Sequence, residues 1–432
     1  MRYSMRAFTV IAATAATGAQ LLLSACDGGG SALPKAVAIS PDGVRHSAAE
    51  YSPDGTRMTW WTPVGDSTRS LQLMVGNADQ SAASKLPVTV FFVQTNFWSP
   101  DGKMIAAASS EFGVLHTVVV PAAGSGAKRL AQRAGFDVPL GWFPDGDQLM
   151  ILASTEGGTI RSFVASLKTG VSRPAVLSEK HAYIAFPSPD GSHIAYVVLD
   201  GPRTTIWVAD SVGGTPRQLT SEGFEGFSAP SVPWSPDGKE LVYESRRTGR
   251  SDIWVIPIDG GKPRQLTRDV RNDFNPAWSS DGKWIAFLSD RGRQTDIWVV
   301  PAAGGAEQRV TDDATEEQPG LSWRPRTHEL SYLRNVEKGG IWVLDIANGN
   351  ERRRTPDSVR AGYFNVAPNG KEVLYVIERG GGIQDLAVVP LAGGGAARTH
   401  FRRWNAGFAR TRPALVTGFE ADRVFVRSRR NE

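Results

Sequence analysis

Between residues 268 and 311, hydrophobic and polar positions fall into four short runs separated by turn signals. The first, Asn275–Ser279, ends at Ser280-Asp281-Gly282. In the second, Lys283–Ser289, Trp284, Ala286 and Leu288 alternate with Ile285 and Phe287. Asp296–Pro301 is the third, closed by Gly304-Gly305, and Gln308–Thr311 is the fourth. Runs of strand length with a period near two, bounded by Gly, Pro, Asn and Asp, predict β-strands joined by tight turns. Four in succession predict a four-stranded antiparallel unit.

That unit recurs, and the turn between its first two strands marks the register. Ser-Pro-Asp-Gly stands at 52–55, 99–102, 188–191 and 235–238, with Phe-Pro-Asp-Gly at 143–146 and Ser-Ser-Asp-Gly at 279–282. A worn copy, Arg324-Pro325-Arg326-Thr327, and Ala367-Pro368-Asn369-Gly370 complete the series, at steps of 43–47 residues. Proline sets φ, aspartate bonds its own backbone, and glycine takes positive φ. Eight antiparallel units of this period predict an all-β chain folded as an eight-bladed β-propeller of four-stranded blades, with seven or nine blades as the alternatives. A ninth match, Ser40-Pro41-Asp42-Gly43, lies too close to Asp54 to be a blade, and Val37–Ser40 before it reads as a strand that closes the ring. After the eighth copy, Pro413–Phe419 and Arg423–Ser428 read as a hairpin. It is expected to pair with the N-terminal strand in one blade, because closure removes exposed sheet edges.

Two further features repeat. The third strand reads Ile206-Trp207-Val208, Ile253-Trp254-Val255, Ile297-Trp298-Val299 and Ile341-Trp342-Val343, with Leu386-Ala387-Val388 as a reduced form. The first strand carries Trp98, Trp142, Trp234, Trp278 and Trp323. Tryptophans at one repeating strand position predict core between blades rather than a ligand platform. The Gly-Gly pairs at 213–214, 260–261 and 304–305 and the Gly run at 393–395 join strands, so they read as hairpin turns and not as phosphate loops.

Composition changes the picture at the N-terminus. The chain has 432 residues, 41% hydrophobic and 21% charged, which is globular. Residues 1–25 read as a secretory leader, with Arg2 and Arg6 ahead of the apolar stretch 7–23. Loss of those two arginines takes the formal charge from +4 to +2, too weak to argue for nucleic acid. The leader ends in Leu23-Ser24-Ala25-Cys26, which resembles the bacterial lipoprotein signal, in which the cysteine is lipidated. Cys26 is the only cysteine, so it cannot form an internal disulfide, and acyl chains would anchor it to a membrane. Residues 26–36 then form the lipidated Cys26 and a flexible tether that includes Asp27-Gly28-Gly29-Gly30-Ser31, and 37–432 the propeller domain. Outside the leader no apolar run reaches the length of a transmembrane helix.

Residues 230–267 and 276–311 follow the pattern P-x-W-S-P-D-G-K-x-I-A-F-x-S-D-R, then D-I-W-V-x-P, then G-G and L-T, almost throughout, and recognisable copies cover about 46–400. Such repeats resemble those of the TolB family. The resemblance implies a propeller at the periplasmic side of the bacterial envelope that docks envelope proteins through its surface. It also extends to the propellers that gate prolyl oligopeptidase-type peptidases. The chain differs from TolB itself in its lipoprotein-like leader, its larger number of repeats, and a first repeat that begins near His46, without room for an N-terminal α/β domain.

The motifs of the common enzyme classes are not found. There is no Gly-x-Ser-x-Gly elbow followed by an α/β domain, no His-Glu-x-x-His helix, no Walker loop, and the six histidines are scattered. The expectation is therefore a non-enzymatic, monomeric, lipid-anchored binding module without cofactor or metal, whose partner is an envelope protein or peptide. A propeller hydrolase or lyase acting on a periplasmic glycan or peptide is the alternative, beside a gating propeller that lacks its catalytic domain.

The loops supply candidate binding residues. Connections between blades and loops between strands two and three fall on one face of a propeller. The first set is acidic, with Glu222, Glu225, Asp269, Asp273, Asp312, Asp313, Glu316 and Glu317. The second is basic, with Arg246, Arg247, Arg250, Arg291 and Arg293, continued by Arg334 and Lys338. This predicts an acidic channel mouth inside a basic rim, suited to a basic peptide segment. Local ion pairs within solvated loops are the simpler expectation, and Ser289-Asp290-Arg291, being part of the repeat, reads as structural.

Overall fold

The computed structural model of the chain describes residues 37–38, 47–64, 67–77, 82–90, 96–111, 114–130, 135–177, 182–201, 203–221, 225–226, 233–292, 295–311, 316–317, 321–335, 340–346, 350–356, 359–380, 383–392 and 398–399. Their strands form eight antiparallel sheets, the blades of an all-β propeller. In chain order these span 47–90, 96–129, 137–174, 184–218, 225–265, 273–309, 316–353 and 361–390. The expected eight-bladed architecture is therefore present.

Blade six shows why the sequence folds this way. Its strands are Asp273–Trp278, Trp284–Ser289, Asp296–Pro301 and Gln308–Arg309. Every residue of the second strand is buried, because both faces of a blade are covered by its neighbours. Trp284, Ala286 and Leu288 pack with Trp323, Leu330 and Tyr332 of blade seven. Ile285 and Phe287 pack with Val242, Val255 and Leu266 of blade five. The period-two alternation thus sorts side chains between two hydrophobic interfaces rather than between core and water. The other blade interfaces are filled in the same manner. Tyr51, Met58 and Trp60 of blade one meet Leu374, Val376 and Leu386 of blade eight, which closes the ring.

Directional bonds reinforce this packing. The indole N–H of each first-strand tryptophan donates to a backbone carbonyl of the preceding blade's first strand or the segment that follows it. Trp98 reaches Glu50 at 3.3 Å, Trp142 reaches Phe97 at 3.0 Å, and Trp234 reaches Phe186 at 3.1 Å. Trp278 reaches Pro233 at 3.3 Å and Trp323 reaches Ala277 at 3.1 Å. Within blades, the threonine that ends the Leu-Thr or equivalent segment accepts from the third strand. Ile206, Ile253 and Ile297 donate their N–H groups to Thr220, Thr267 and Thr311 at 2.9 Å.

The Ser-Pro-Asp-Gly turn is a small hydrogen-bonded knot. In blade five Ser235 Oγ donates to Asp237 at 2.7 Å and accepts from the Glu240 N–H at 3.0 Å, while Asp237 accepts from the Lys239 N–H at 3.1 Å. Gly238 sits at φ +71°, where a side chain would be strained. Donation from the serine, with backbone N–H groups, holds the Asp54, Asp101, Asp190 and Asp237 carboxyls below their usual range, Asp190 at about 2.

Ring closure differs in detail from the expected scheme. Val37–Ala38 pairs with the third strand of blade eight, Val37 opposite Val388 and Ala38 opposite Ala387. The N-terminal strand therefore fills the fourth place of the last blade. The hairpin expected at 413–428 and the Ser40–Gly43 turn lie outside the described residues. Arg398–Thr399 pairs with Asn350–Arg353 on the outer edge of blade seven. The first strand of that blade is split into Glu316–Glu317 and Ser322–Trp323, both paired with Glu329–Asn335.

Candidate binding site on the loop face

Antiparallel alternation puts the Ser-Pro-Asp-Gly turns on one face of the ring, the turn face. Loops between second and third strands, and connections between blades, lie on the opposite loop face. Asp269 is in the connection from blade five to six, Asp273 begins the first strand of blade six, and Arg291 is in that blade's second loop.

These three residues converge. Arg291 contacts Asp269, Glu307 and Asp273, the last at 2.7 Å. Its guanidinium lies over the Trp298 ring, 4.5 Å from the centroid. Asp269, Asp273 and Glu307 place carboxylate oxygens within 4.8 Å of one another, a spacing at which acids can share a cation. Here the shared cation is the arginine, whose planar fork satisfies several carboxylates at once. Burial, with the Glu307 and Asp252 charges nearby, pushes the Asp273 carboxyl up to about 7. The Ser289 and Thr267 side chains oppose that rise without cancelling desolvation.

Blade five repeats the stacked arginine. Arg247 lies 4.3 Å from the Trp254 centroid and donates to Ser245 Oγ at 3.0 Å and Tyr243 Oη at 3.1 Å. The arginine after the second strand therefore stacks on the third-strand tryptophan in both blades, a cation–π contact partly removed from water. The third-strand aspartates are likewise tied across the blade: Asp252 accepts from Gln265 at 3.2 Å and Asp296 from Arg309 at 2.6 Å.

The expected acidic mouth and basic rim are thus not separate among the described residues. Asp269, Asp273 and Arg291 form one inward-facing cluster, and Arg247 is half-buried against its tryptophan. Arg246 is exposed and Arg250 half-buried at the blade-five loop. Glu225, Glu316 and Glu317 lie in first strands of blades five and seven. Glu222, Arg293, Asp312, Asp313 and Lys338 are outside the described residues, as is the side chain of Arg334.

Several residues at this face carried no sequence signal. Glu307 belongs to the approach to a fourth strand, far from Arg291 along the chain. Arg268 and Arg271 are exposed beside Asp269, and Val270 between them is 77% exposed. In blades two and three, the scattered histidine His116 is buried and pairs with the buried Asp137 at 2.8 Å, which also accepts from the Thr117 N–H at 2.7 Å. Asp137 and Asp273 both begin first strands, so a buried first-strand aspartate recurs with a different partner.

Comparison with known proteins gives this architecture a family. Among curated proteins, the Tol-Pal system protein TolB of Anaeromyxobacter dehalogenans (strain 2CP-C) is 32% identical over 81 residues, 19% of this chain and 18% of that protein. The match thus spans less than a fifth of the relative's length. Among solved structures, a Mycobacterium tuberculosis puromycin-hydrolyzing peptidase superposes with a TM-score of 0.54 at 14% identity, over 82% of this chain and 61% of that one. An oligogalacturonate lyase in complex with manganese gives 0.50 at 12% identity, over 84% and 98%. At these identities the likeness is one of fold. The family model described as TolB beta propeller domain matches residues 45–231 and 172–406, from before blade one to beyond blade eight. The chain belongs to the TolB beta propeller domain family.

Proposed function

We propose that this protein is a binding scaffold of the bacterial envelope: a monomeric propeller, lipid-anchored through Cys26, that holds an envelope protein or peptide on its periplasmic side without catalysing a reaction. The observation that carries the reading is the family match through all eight blades, together with its curated relative in a Tol-Pal system. The leader ending at Cys26 supports the anchor. Interlocked blades make a rigid platform, and loops on rigid platforms are where binding residues concentrate.

The second reading, a hydrolase or lyase acting on a periplasmic glycan or peptide, draws on the peptidase and the lyase that share the fold. In vivo cross-linking followed by mass spectrometry of the membrane fraction separates the two. Recovery of an envelope protein is expected. Turnover of envelope glycan or peptide by the purified protein would overturn the scaffold reading. Palmitate labelling that persists in Cys26→Ser would overturn the anchor.

A further inference from the structure

On the loop face of blades five and six, the described acids and bases differ in how they are engaged. Among the described residues, five carboxylates have partners within the protein. Glu244 accepts from the Asn275 N–H at 2.8 Å, Asp252 from Gln265 at 3.2 Å, and Asp290 from the Asn272 side chain at 3.0 Å. Asp269 and Asp273 are held by Arg291. The arginines beside them face outward: Arg246, Arg268 and Arg271 are exposed and Arg250 is half-buried. Two bonds tie their loops together. Ser251 N–H donates to Asn272 Oδ1 at 3.1 Å, and Asp273 N–H donates to the Ser251 carbonyl at 2.7 Å. Arg250 and Arg271 therefore flank one junction, and the exposed Val270 lies between Arg268 and Arg271.

We propose that this patch docks an acidic peptide segment of a partner protein, an inference that rests on the binding-scaffold reading and names the chemistry of its partner. Clustered exposed guanidiniums, beside carboxylates that already have partners within the protein, attract an anionic partner. Guanidinium forks pair with carboxylates in bidentate geometry. Val270 favours a peptide over a uniform polyanion or a lipid headgroup, because a peptide can set an apolar side chain between two acidic ones. The assignment reverses the sign expected from loop composition, in which Asp269 and Asp273 were the recognition groups.

The test is a fluorescence anisotropy titration of the purified protein with a short peptide of alternating Glu and Leu, and with its Lys and Leu counterpart. The acidic peptide binds, and rising salt weakens it. Arg268→Glu combined with Arg271→Glu weakens it by about tenfold or more. Lys239→Glu with Lys283→Glu, exposed in the same two blades but on the turn face, leaves it unchanged. No binding of the acidic peptide, tighter binding of the basic one, or equal losses in the two double variants would overturn the proposal. So would preference for phosphatidylglycerol–phosphatidylethanolamine vesicles or polygalacturonate over the peptide. Any of these results, alongside an envelope protein recovered by cross-linking, removes the acidic-partner assignment and leaves the scaffold reading standing. Failure to recover any such protein counts against the scaffold reading instead.

Discussion

The guanidinium of Arg291 lies 2.7 Å from the Asp273 carboxylate, which is fully buried at the start of the first strand of blade six. The same arginine covers Trp298 and contacts Asp269 and Glu307. It is the only cation named in that cluster among the described residues, so the three acids depend on it. Arg291→Ala is expected to destabilise the protein by about 3 kcal/mol or more, since removing one partner leaves buried charge uncompensated. Urea unfolding measures this. A loss below about 1 kcal/mol, the range of exposed surface pairs, would show the cluster to be solvated.

The raised Asp273 carboxyl gives a pH dependence with a definite sign. An unfolded aspartate titrates near about 3.9, whereas Asp273 titrates at about 7 in the folded protein. Between those values the native state holds more protons than the unfolded chain, so this group makes stability fall as pH rises through that window. Asp273→Asn should flatten the fall. Melting temperatures of the two proteins from pH 4 to 7 that run parallel would refute it.

Acid should act through different residues. The Asp54, Asp101, Asp190 and Asp237 carboxyls are held low by their serine and backbone donors. Their contribution is present above about pH 4 and is lost as pH falls toward about 2, the folded value of Asp190. Ser188→Ala removes a 2.6 Å donor to Asp190 and should move the acid unfolding midpoint to higher pH. Circular dichroism during acid titration reads the shift, and an unmoved midpoint counts against the knot as a source of acid stability.

The tryptophan bonds between blades separate packing from hydrogen bonding. Trp323→Phe removes the 3.1 Å bond to the Ala277 carbonyl but keeps most of the apolar contact. It should lower stability by about 1–2 kcal/mol, the range for leaving a buried acceptor unpaired. Trp323→Ala should lower it by about 3–5 kcal/mol through the cavity. Equal losses in the two variants, from denaturant unfolding, would mean that the indole N–H contributes nothing.

Closure through the N-terminal strand makes deletion of residues 37–40 informative. The edge of Ile383–Pro390 would lose its partner and expose unpaired backbone groups. A lower melting temperature and concentration-dependent aggregation are expected. Unchanged melting would remove this strand from the closure.

Much of the fold was legible because the repeat writes each blade out separately. The Ser-Pro-Asp-Gly turns fixed the register, and the alternation of Trp284 and Ile285 assigned residues to opposite blade interfaces. Closure was less legible, because a two-residue strand such as Val37–Ala38 carries little pattern of its own. The candidate site was read in composition but not in direction. Asp269 and Arg271 lie two residues apart in one connection, yet the first turns in to Arg291 and the second faces solvent. Loop residues lack the strict alternation that reveals orientation in a strand. Glu307 joins Asp273 only through the folding of blade six, across its first and fourth strands.

Site-specific photo-cross-linking in living cells tests the central claim, that the loop face of blades five and six is where a partner protein docks. A photoreactive residue at position 270 replaces an exposed valine and leaves every arginine of the patch in place. The same residue at position 239 samples the turn face of blade five. An envelope protein cross-linked from 270 and not from 239 is the predicted result. Adducts from 239 alone, or the same adducts from both positions, would contradict it.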